Sequence, residues 1–259
     1  MLKHTPRPPA GARKSLTVFV AALLTIGTSM TSSTLAQNSS SRDGWVLTVP
    51  TRRAPDTPPA GPPALPAGAE SITPATIDIV LSRDGKTRQS PSFRQTVSRT
   101  VDRIHLAGTD GREWLFERNP VDRRRVSATL VEHSSKAIVL YEETDLRMAL
   151  GIRGWVDVLA LGFDTELLSR CRRTDEIQTV AGIRFSRYAS VDKGCSVDDV
   201  SWNEEQALPG RFVMKGESGV TRFEVARGKP GADASLLRPA IARFPTYRVF
   251  DLADWLEKH

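Results

Sequence analysis

Residues that commonly carry enzyme chemistry are few and scattered in this sequence. The nearest approach to a nucleophile motif is Gly216-Glu-Ser218-Gly219, in which the last glycine of G-x-S-x-G is misplaced and the strand-like flanks predict a hairpin tip. Beyond the N-terminal segment the histidines are His105, His133 and His259, and none belongs to an H-E-x-x-H or Cys/His motif. The sequence therefore predicts no catalytic residue, no metal site and no cofactor.

Arginine and aromatic side chains are densest in residues 112–125 (REWLFERNPVDRRR). Arginines beside aromatic rings can bind an anionic head group or a carboxylate of a partner protein. The alternative is that Glu117 and Asp122 pair with these arginines in a charged turn, because the local charges nearly balance. The candidate partner-binding residues are Arg118, Arg123 and Arg124.

A second kind of site is indicated by apolar residues. Residues 155–163 (WVDVLALGF) are apolar around nearly the whole circumference of a helix, and we expect the segment to be buried. Above a sheet lined by aromatic residues it could leave an apolar cavity, although core packing explains the same residues. The candidate ligand-binding residues are Trp114, Phe116, Trp155, Leu159 and Phe163.

The elements that must position these residues are mostly strands, because apolar residues recur with a period of two. Paired runs around short turns predict three hairpins, at residues 126–132 with 137–143, 177–180 with 183–189, and 212–215 with 220–226. The apolar phase slips between Thr96 and Leu106, which predicts a bulge or a bend between two strands.

Short helices interrupt the strands. We expect Thr144 to cap a helix that Gly151 stops, and Asp164 to cap a second short helix. Asp251 is expected to cap the C-terminal helix. Because strands joined by hairpins form antiparallel sheets, the predicted fold class is α+β. It is an antiparallel, incompletely closed β-barrel or curved sheet with short helices packed on one face.

Residues 1–36 have the layout of a secretory signal peptide. Four basic residues precede an apolar run at residues 15–30, and Thr34-Leu35-Ala36 places small residues near a cut site. The run is shorter than the roughly 20 apolar residues of a transmembrane helix, and an uncleaved anchor is the alternative. The pair Arg13-Lys14 leaves both general secretory and twin-arginine export open. We expect a periplasmic or secreted protein.

A Pro/Ala-rich linker is expected at residues 37–71, followed by a single β-rich globular domain at residues 72–259. Loss of the signal peptide removes four basic residues and no acidic one, which lowers the formal net charge from +6 to +2. A nearly neutral mature chain gives no electrostatic reason to expect nucleic acid as a partner. We expect no integral membrane segment in the mature chain, and transient membrane contact is compatible with this compartment.

Cys171 and Cys195 are the two cysteines of the sequence. In an oxidising compartment, two thiols favour one disulfide bond. Two separate thiols are the alternative, since the sequence does not show whether the two Cα atoms come within bonding range.

The order of these elements resembles the periplasmic lipoprotein-carrier superfamily. The segments TIDIVLS, REWLFERN, SATLVEHSSKAIVLYEE and IRFSRYA carry the resemblance, which spans residues 76–226. The resemblance implies a barrel whose mouth is plugged by helices, with an apolar cavity for acyl chains or a hydrophobic partner segment. It assigns no individual residue.

Export, the fold plan and the lack of a catalytic set favour a non-catalytic binding protein that holds a lipid, an acyl chain or another apolar ligand in a half-barrel. An envelope protein–protein interaction module is one alternative. A hydrolase with an unrecognised site is another.

Overall fold

A computed structural model describes residues 70, 72–84, 92–180, 182–190, 197–216 and 219–258. Twelve strands in this part of the chain form one sheet. The strands are β1 (Ala75–Asp84), β2 (Phe93–Arg99), β3 (Arg103–Gly108), β4 (Arg112–Arg118), β5 (Val126–Glu132), β6 (Ala137–Tyr141), β7 (Cys171–Val180), β8 (Ile183–Ser190), β9 (Val197–Asn203), β10 (Leu208–Gly216), β11 (Gly219–Pro230) and β12 (Arg248–Asp251).

The sheet is antiparallel except at one edge. Its order is β12-β6-β5-β4-β3-β2-β1-β11-β10-β9-β8-β7, and only β12 runs parallel to its neighbour among the described strands. Because β12 and β7 are the two outer strands, the sheet is not closed, and the predicted fold class is confirmed. The predicted hairpins are also confirmed as β5–β6, β7–β8 and β10–β11.

Strand alternation gives the sheet two chemically different faces. On the inner face, cross-strand partners such as Ile104 and Phe116 belong to the main apolar core. Their sequence neighbours point to the outer face, since successive side chains of a strand alternate. The predicted phase slip is the turn between β2 and β3, across which Val97 pairs with Leu106.

Helical elements are short. They are α1 (Glu143–Asp145), which continues as a π-helical turn (Leu146–Leu150), α2 (Trp155–Leu159), a 3-10 helix (Thr165–Arg170), α3 (Ala240–Arg243) and α4 (Leu252–Lys258).

The helix ends confirm two sequence predictions and correct two. Gly151 stops the first helix with a φ of 70°, and Asp251 caps α4 by accepting a 2.7 Å bond from the Asp254 amide. The cap of α1 is Glu142 rather than Thr144, because the Glu142 amide bonds the Asp145 side chain at 2.9 Å. The buried segment 155–163 is helical only to Leu159, since the left-handed backbone that follows ends the helix.

The C-terminal strap, defined as residues 231–247, crosses the outer face. The Asp233 amide donates to Ser98 Oγ at 2.8 Å, and Arg103 Nη1 donates to the Leu237 carbonyl at 3.0 Å. Ala240, together with Phe244 and Tyr247, packs against outer-face apolar residues of β5 and β6 in a second, smaller core. The strap therefore covers an apolar part of the outer face.

Several predictions fall on residues outside the described ranges. They are the signal peptide, the linker apart from Glu70, the turn at Ser218 and Cys195. Cys171 is half-buried at the start of β7, and its disulfide bond with Cys195 stays a prediction. None of the helices in the described ranges is long and apolar enough to cross a membrane.

Candidate functional site

The structure brings the five predicted ligand-binding residues together in the main core. Each is at most 4% exposed. The Trp114 ring stacks on Phe116 with centroids 5.7 Å apart, whereas Phe163 lies 5.0 Å from Phe212 and 5.6 Å from Trp202. Aromatic side chains thus cluster on the inner face at β4 and again at β9 and β10, with aliphatic residues between them. The five residues of this set are Trp114, Phe116, Trp155, Leu159 and Phe163.

Residues 154–163 fill the inner side of the sheet, and we call them the interior plug. Every residue of the plug is buried. The Trp155 amide donates to the Arg124 carbonyl at 2.8 Å, and Asp157 holds the Arg153 guanidinium through bonds of 2.9 and 3.1 Å. Apolar packing therefore provides most of the plug's contacts, with polar ties at its N-terminal end.

Two features of the plug are energetically unfavourable. Leu161 has a φ of 50°, a left-handed conformation that costs about 1 kcal/mol or more for a residue with a Cβ atom. The Trp155 indole N–H is buried and has no hydrogen-bond partner among the described residues. A buried donor without a partner destabilises the state that buries it. Both features favour a plug that can leave its position.

Arg99 is a functional candidate that sequence reasoning missed. It ends β2 opposite Ile104, and it therefore points into the inner face with the core residues. The residue is 1% exposed, and its Nη2 donates to the Gln206 carbonyl at 2.5 Å. Its Nε and Nη1 have no partner among the described residues. The sequence did contain one indication. Arg99 lies two residues after Val97, so that in a strand its side chain points to the same face as that apolar residue.

Burial changes the acid–base behaviour of this arginine only moderately. Desolvation lowers the pKa of Arg99 to about 10, because removal from water disfavours the charged form. The guanidinium therefore still carries its positive charge at neutral pH. Within the described ranges, the inner face thus combines a broad apolar surface with a buried cation, Arg99, that no carboxylate contacts.

Arg118, the first predicted partner-binding residue, lies inside the domain. Its Nη1 and Nη2 donate to the Glu70 carboxylate at 3.1 and 2.6 Å, and its Nε donates to the Arg123 carbonyl at 2.6 Å. The bond from Arg118 is the largest of the contributions that lower the pKa of Glu70, and Arg123 adds to it. Arg118 is thus a buried anchor for Glu70, which lies in the predicted linker.

The other two predicted arginines lie at the surface and pair within the chain. Arg123 bonds Asp102 at 3.1 Å, and Arg124 bonds Asp122 at 3.3 Å. Between them and the strand lies Val121, which is 93% exposed. The charged turn expected as the alternative is therefore present for Asp122, whereas Glu117 pairs with Arg103 of β3 instead.

This turn is joined to the first helical segment by ion pairs. Glu143 accepts from Arg125 at 3.4 Å and from Arg147 at 2.9 Å. The neighbour of Arg147 in the chain, Met148, is 78% exposed. We call the surface formed by Val121, Arg124, Arg125 and Met148 the arginine surface. Its exposed apolar side chains among cations are typical of a protein contact.

A second polar cluster lies beneath the strap, and we call it the outer clamp. The Glu113 carboxylate contacts His105 Nε2 and His133 Nε2, each at 2.8 Å, and it also pairs with Arg243 of the strap. His133 Nδ1 lies 2.9 Å from the Tyr247 hydroxyl. One carboxylate from the sheet thus ties together two strands and the strap.

The charge of the outer clamp is fixed by these bonds. Burial alone would raise the pKa of Glu113, but hydrogen bonds from His105, His133 and Arg243 outweigh it and lower the pKa to about 2. Glu113 is therefore ionised at neutral pH. No group of His, Cys, Asp or Glu suited to a metal ion occurs within the described ranges. The geometry of the outer clamp supports a structural role.

Comparisons with known proteins give similar structures only. No protein-family model matches the chain, and no curated protein matches it. An uncharacterized conserved protein from Thermus thermophilus is 10% identical, with 70% of this chain and 92% of that chain covered and a TM-score of 0.38. MucB in the Pseudomonas aeruginosa MucA/MucB complex is 16% identical, with 68% and 56% covered and a TM-score of 0.39.

A LolA superfamily protein from Nitrosomonas europaea is also similar. It is 9% identical, with 66% of this chain and 95% of that chain covered and a TM-score of 0.28. A TM-score this low carries no argument, so the resemblance to the lipoprotein-carrier superfamily stays a prediction from the order of elements. The chain spans little more than half of the MucB structure. Because these TM-scores lie below 0.5, the function of this chain is argued from its own residues.

Proposed function

We propose that this protein is a non-catalytic binding protein, periplasmic or secreted, which holds an acyl chain, a lipid or another apolar ligand in its half-barrel. The observation that carries the proposal is the interior plug. It is a buried, mostly apolar segment that packs on the inner face of an unclosed sheet. Departure of the plug would leave an apolar groove lined by aromatic rings.

The energetics of exchange support this proposal. Trp155, Leu159 and Phe163 contribute apolar contacts to the core that an acyl chain could replace. Opening would also relieve the strain at Leu161 and let the Trp155 indole N–H reach water. A ligand that replaces the plug's contacts shifts the population toward the open state, because it binds that state only.

Quenching of tryptophan fluorescence by a brominated acyl chain tests the proposal. A bound brominated chain should quench Trp114 and Trp202, which stay on the inner face when the plug leaves. We expect a Trp114→Phe variant to lose much of the quenching. A Trp255→Phe variant should keep it, since Trp255 lies on α4 at the β12 edge. Native mass spectrometry that finds no uptake of fatty acid or lipopeptide would contradict the proposal.

The arginine surface favours a second candidate, an envelope protein–protein interaction module. Its exposed Val121 and Met148 provide apolar contacts, and the surrounding arginines could pair with acidic groups of a partner. A double Val121→Asp, Met148→Asp variant should lose a co-purifying partner. Leu256→Asp, at a similarly exposed apolar residue of α4, is the matched control. Retention of the partner by the double variant would count against this surface.

A further inference from the structure

Arg99 has more hydrogen-bonding capacity than the chain uses. A guanidinium carries five N–H donors. The described structure gives Arg99 one bond, from Nη2 to the Gln206 carbonyl, and leaves Nε and Nη1 without partners. At 1% exposure the residue has almost no access to bulk water in this closed arrangement. Most of its donors are therefore both buried and unused.

A purely structural role explains only part of this arrangement. The bond to Gln206 ties β2 to the turn between β9 and β10, and a neutral side chain could make the same bond. A buried cation without an opposite charge is costly, because removal from water is not offset by pairing. The positive charge of Arg99 therefore calls for a further explanation.

Arg118 shows how this chain saturates another buried arginine. Arg118 ends β4 opposite the core residue Val126, and it lies at the same end of the sheet as Arg99. Glu70 supplies a carboxylate to two of its nitrogens. Among the described residues, no carboxylate pairs with Arg99 in the same way.

We propose that the ligand of the half-barrel is an anionic amphiphile, whose carboxylate or phosphate oxygens pair with Arg99 while its chain replaces the interior plug. This inference rests on the proposed function and deepens it. Arg99 shares the inner face with the apolar lining, so that one ligand can contact both. Arginine suits this task because its fork of donors matches carboxylate and phosphate oxygens.

Three ligands of equal chain length test the inference on the purified full chain: hexadecanoate, hexadecyl phosphate and hexadecanol. We expect the wild type to bind at least one anion about tenfold more tightly than the alcohol, as for one added charge-assisted interaction. Arg99→Met should abolish that preference and keep the affinity for the alcohol. Arg94→Met is the control, because Arg94 is exposed on the same strand.

The outcomes separate the two proposals. A preference for hexadecanoate alone assigns a fatty-acid carboxylate, whereas a preference for hexadecyl phosphate assigns a lipid phosphate; both support the inference. Equal binding of the three by the wild type, or an unchanged preference in Arg99→Met, overturns the inference and leaves the proposed function intact. Binding of none of them overturns both. Circular dichroism checks folding, and Arg99→Gln is the second variant if Arg99→Met does not fold.

Discussion

Two arginines at one end of the sheet, Arg99 and Arg118, differ in what the chain provides for them. Both are buried, and both point into the inner face from the last residue of a strand. Arg118 receives the Glu70 carboxylate and a carbonyl, whereas Arg99 receives one carbonyl. The difference indicates that a saturated arginine anchors the fold, while the unsaturated one is available to a ligand.

The outer clamp follows the pattern of Arg118. There Glu113 satisfies Arg243 of the strap and contacts two histidines. Where the chain holds its own strap or linker in place, it supplies the carboxylate itself. Arg99 stands apart because it shares the inner face with the apolar core, and no carboxylate contacts it among the described residues.

The largest expected effect is at the outer clamp. Glu113→Gln removes the charge that faces Arg243 and His105, and we expect the free energy of unfolding to fall by about 3 kcal/mol. Urea denaturation at neutral pH measures this loss. Glu117→Gln is the control, since Glu117 lies on the same strand and face with an exposed partner, Arg103, and should cost less than about 1 kcal/mol. Equal losses would remove the distinction between the clamp and a surface ion pair.

The same substitution should alter the response to acid. Because the folded pKa of Glu113 is about 2, its stabilising contribution is complete above the pH at which an unfolded glutamate ionises, about 4.3. It is lost as the pH falls through about 2. The difference in unfolding free energy between wild type and Glu113→Gln should therefore shrink as the pH falls below about 4. A difference that grows below pH 4 would contradict this assignment.

A smaller loss is expected at Arg118. Glu70→Gln removes the carboxylate that hydrogen-bonds Arg118 and leaves Asp102, at 4.0 Å, as the remaining opposite charge, and we expect a loss of about 2 kcal/mol. The estimate is below that for Glu113 because Glu70 itself is 58% exposed. Thermal unfolding checks it, with Glu205→Gln in an exposed turn as the control. An unchanged melting temperature would mean that Arg118 does not need its carboxylate, and the comparison with Arg99 would fail.

The smallest effect has the opposite sign. Without ligand, Arg99→Met should raise the free energy of unfolding by about 1 kcal/mol, because a buried unpaired charge gives way to an apolar side chain of similar length. Arg118→Met should lower it, since that arginine is paired. Urea denaturation of the two variants tests directly whether Arg99 and Arg118 differ in how well they are paired. If both substitutions destabilise the chain equally, Arg99 is as well satisfied as Arg118.

Much of the fold could be predicted from local patterns. Period-two alternation places Trp114 and Phe116 on one face, and apolar composition around the whole helix predicts that Trp155 is buried; both are confirmed. The cap of α1 was predicted incorrectly because Thr144 is a preferred cap residue type and Glu142 is not, whereas the position of the cap depends on where the chain leaves β6. The outer clamp was missed because Glu113 and Arg243 lie 130 residues apart.

The sequence by itself determined the alternation of the strands, the three hairpins and the buried character of the plug. These properties are local, because each depends on side chains a few residues apart. Only the tertiary structure decided which arginine is saturated. Arg99 and Arg118 both end apolar strands, and the difference between them is a carboxylate that reaches Arg118 from 48 residues away. Charge pairing in a fold depends on distance in space, which a single strand does not encode.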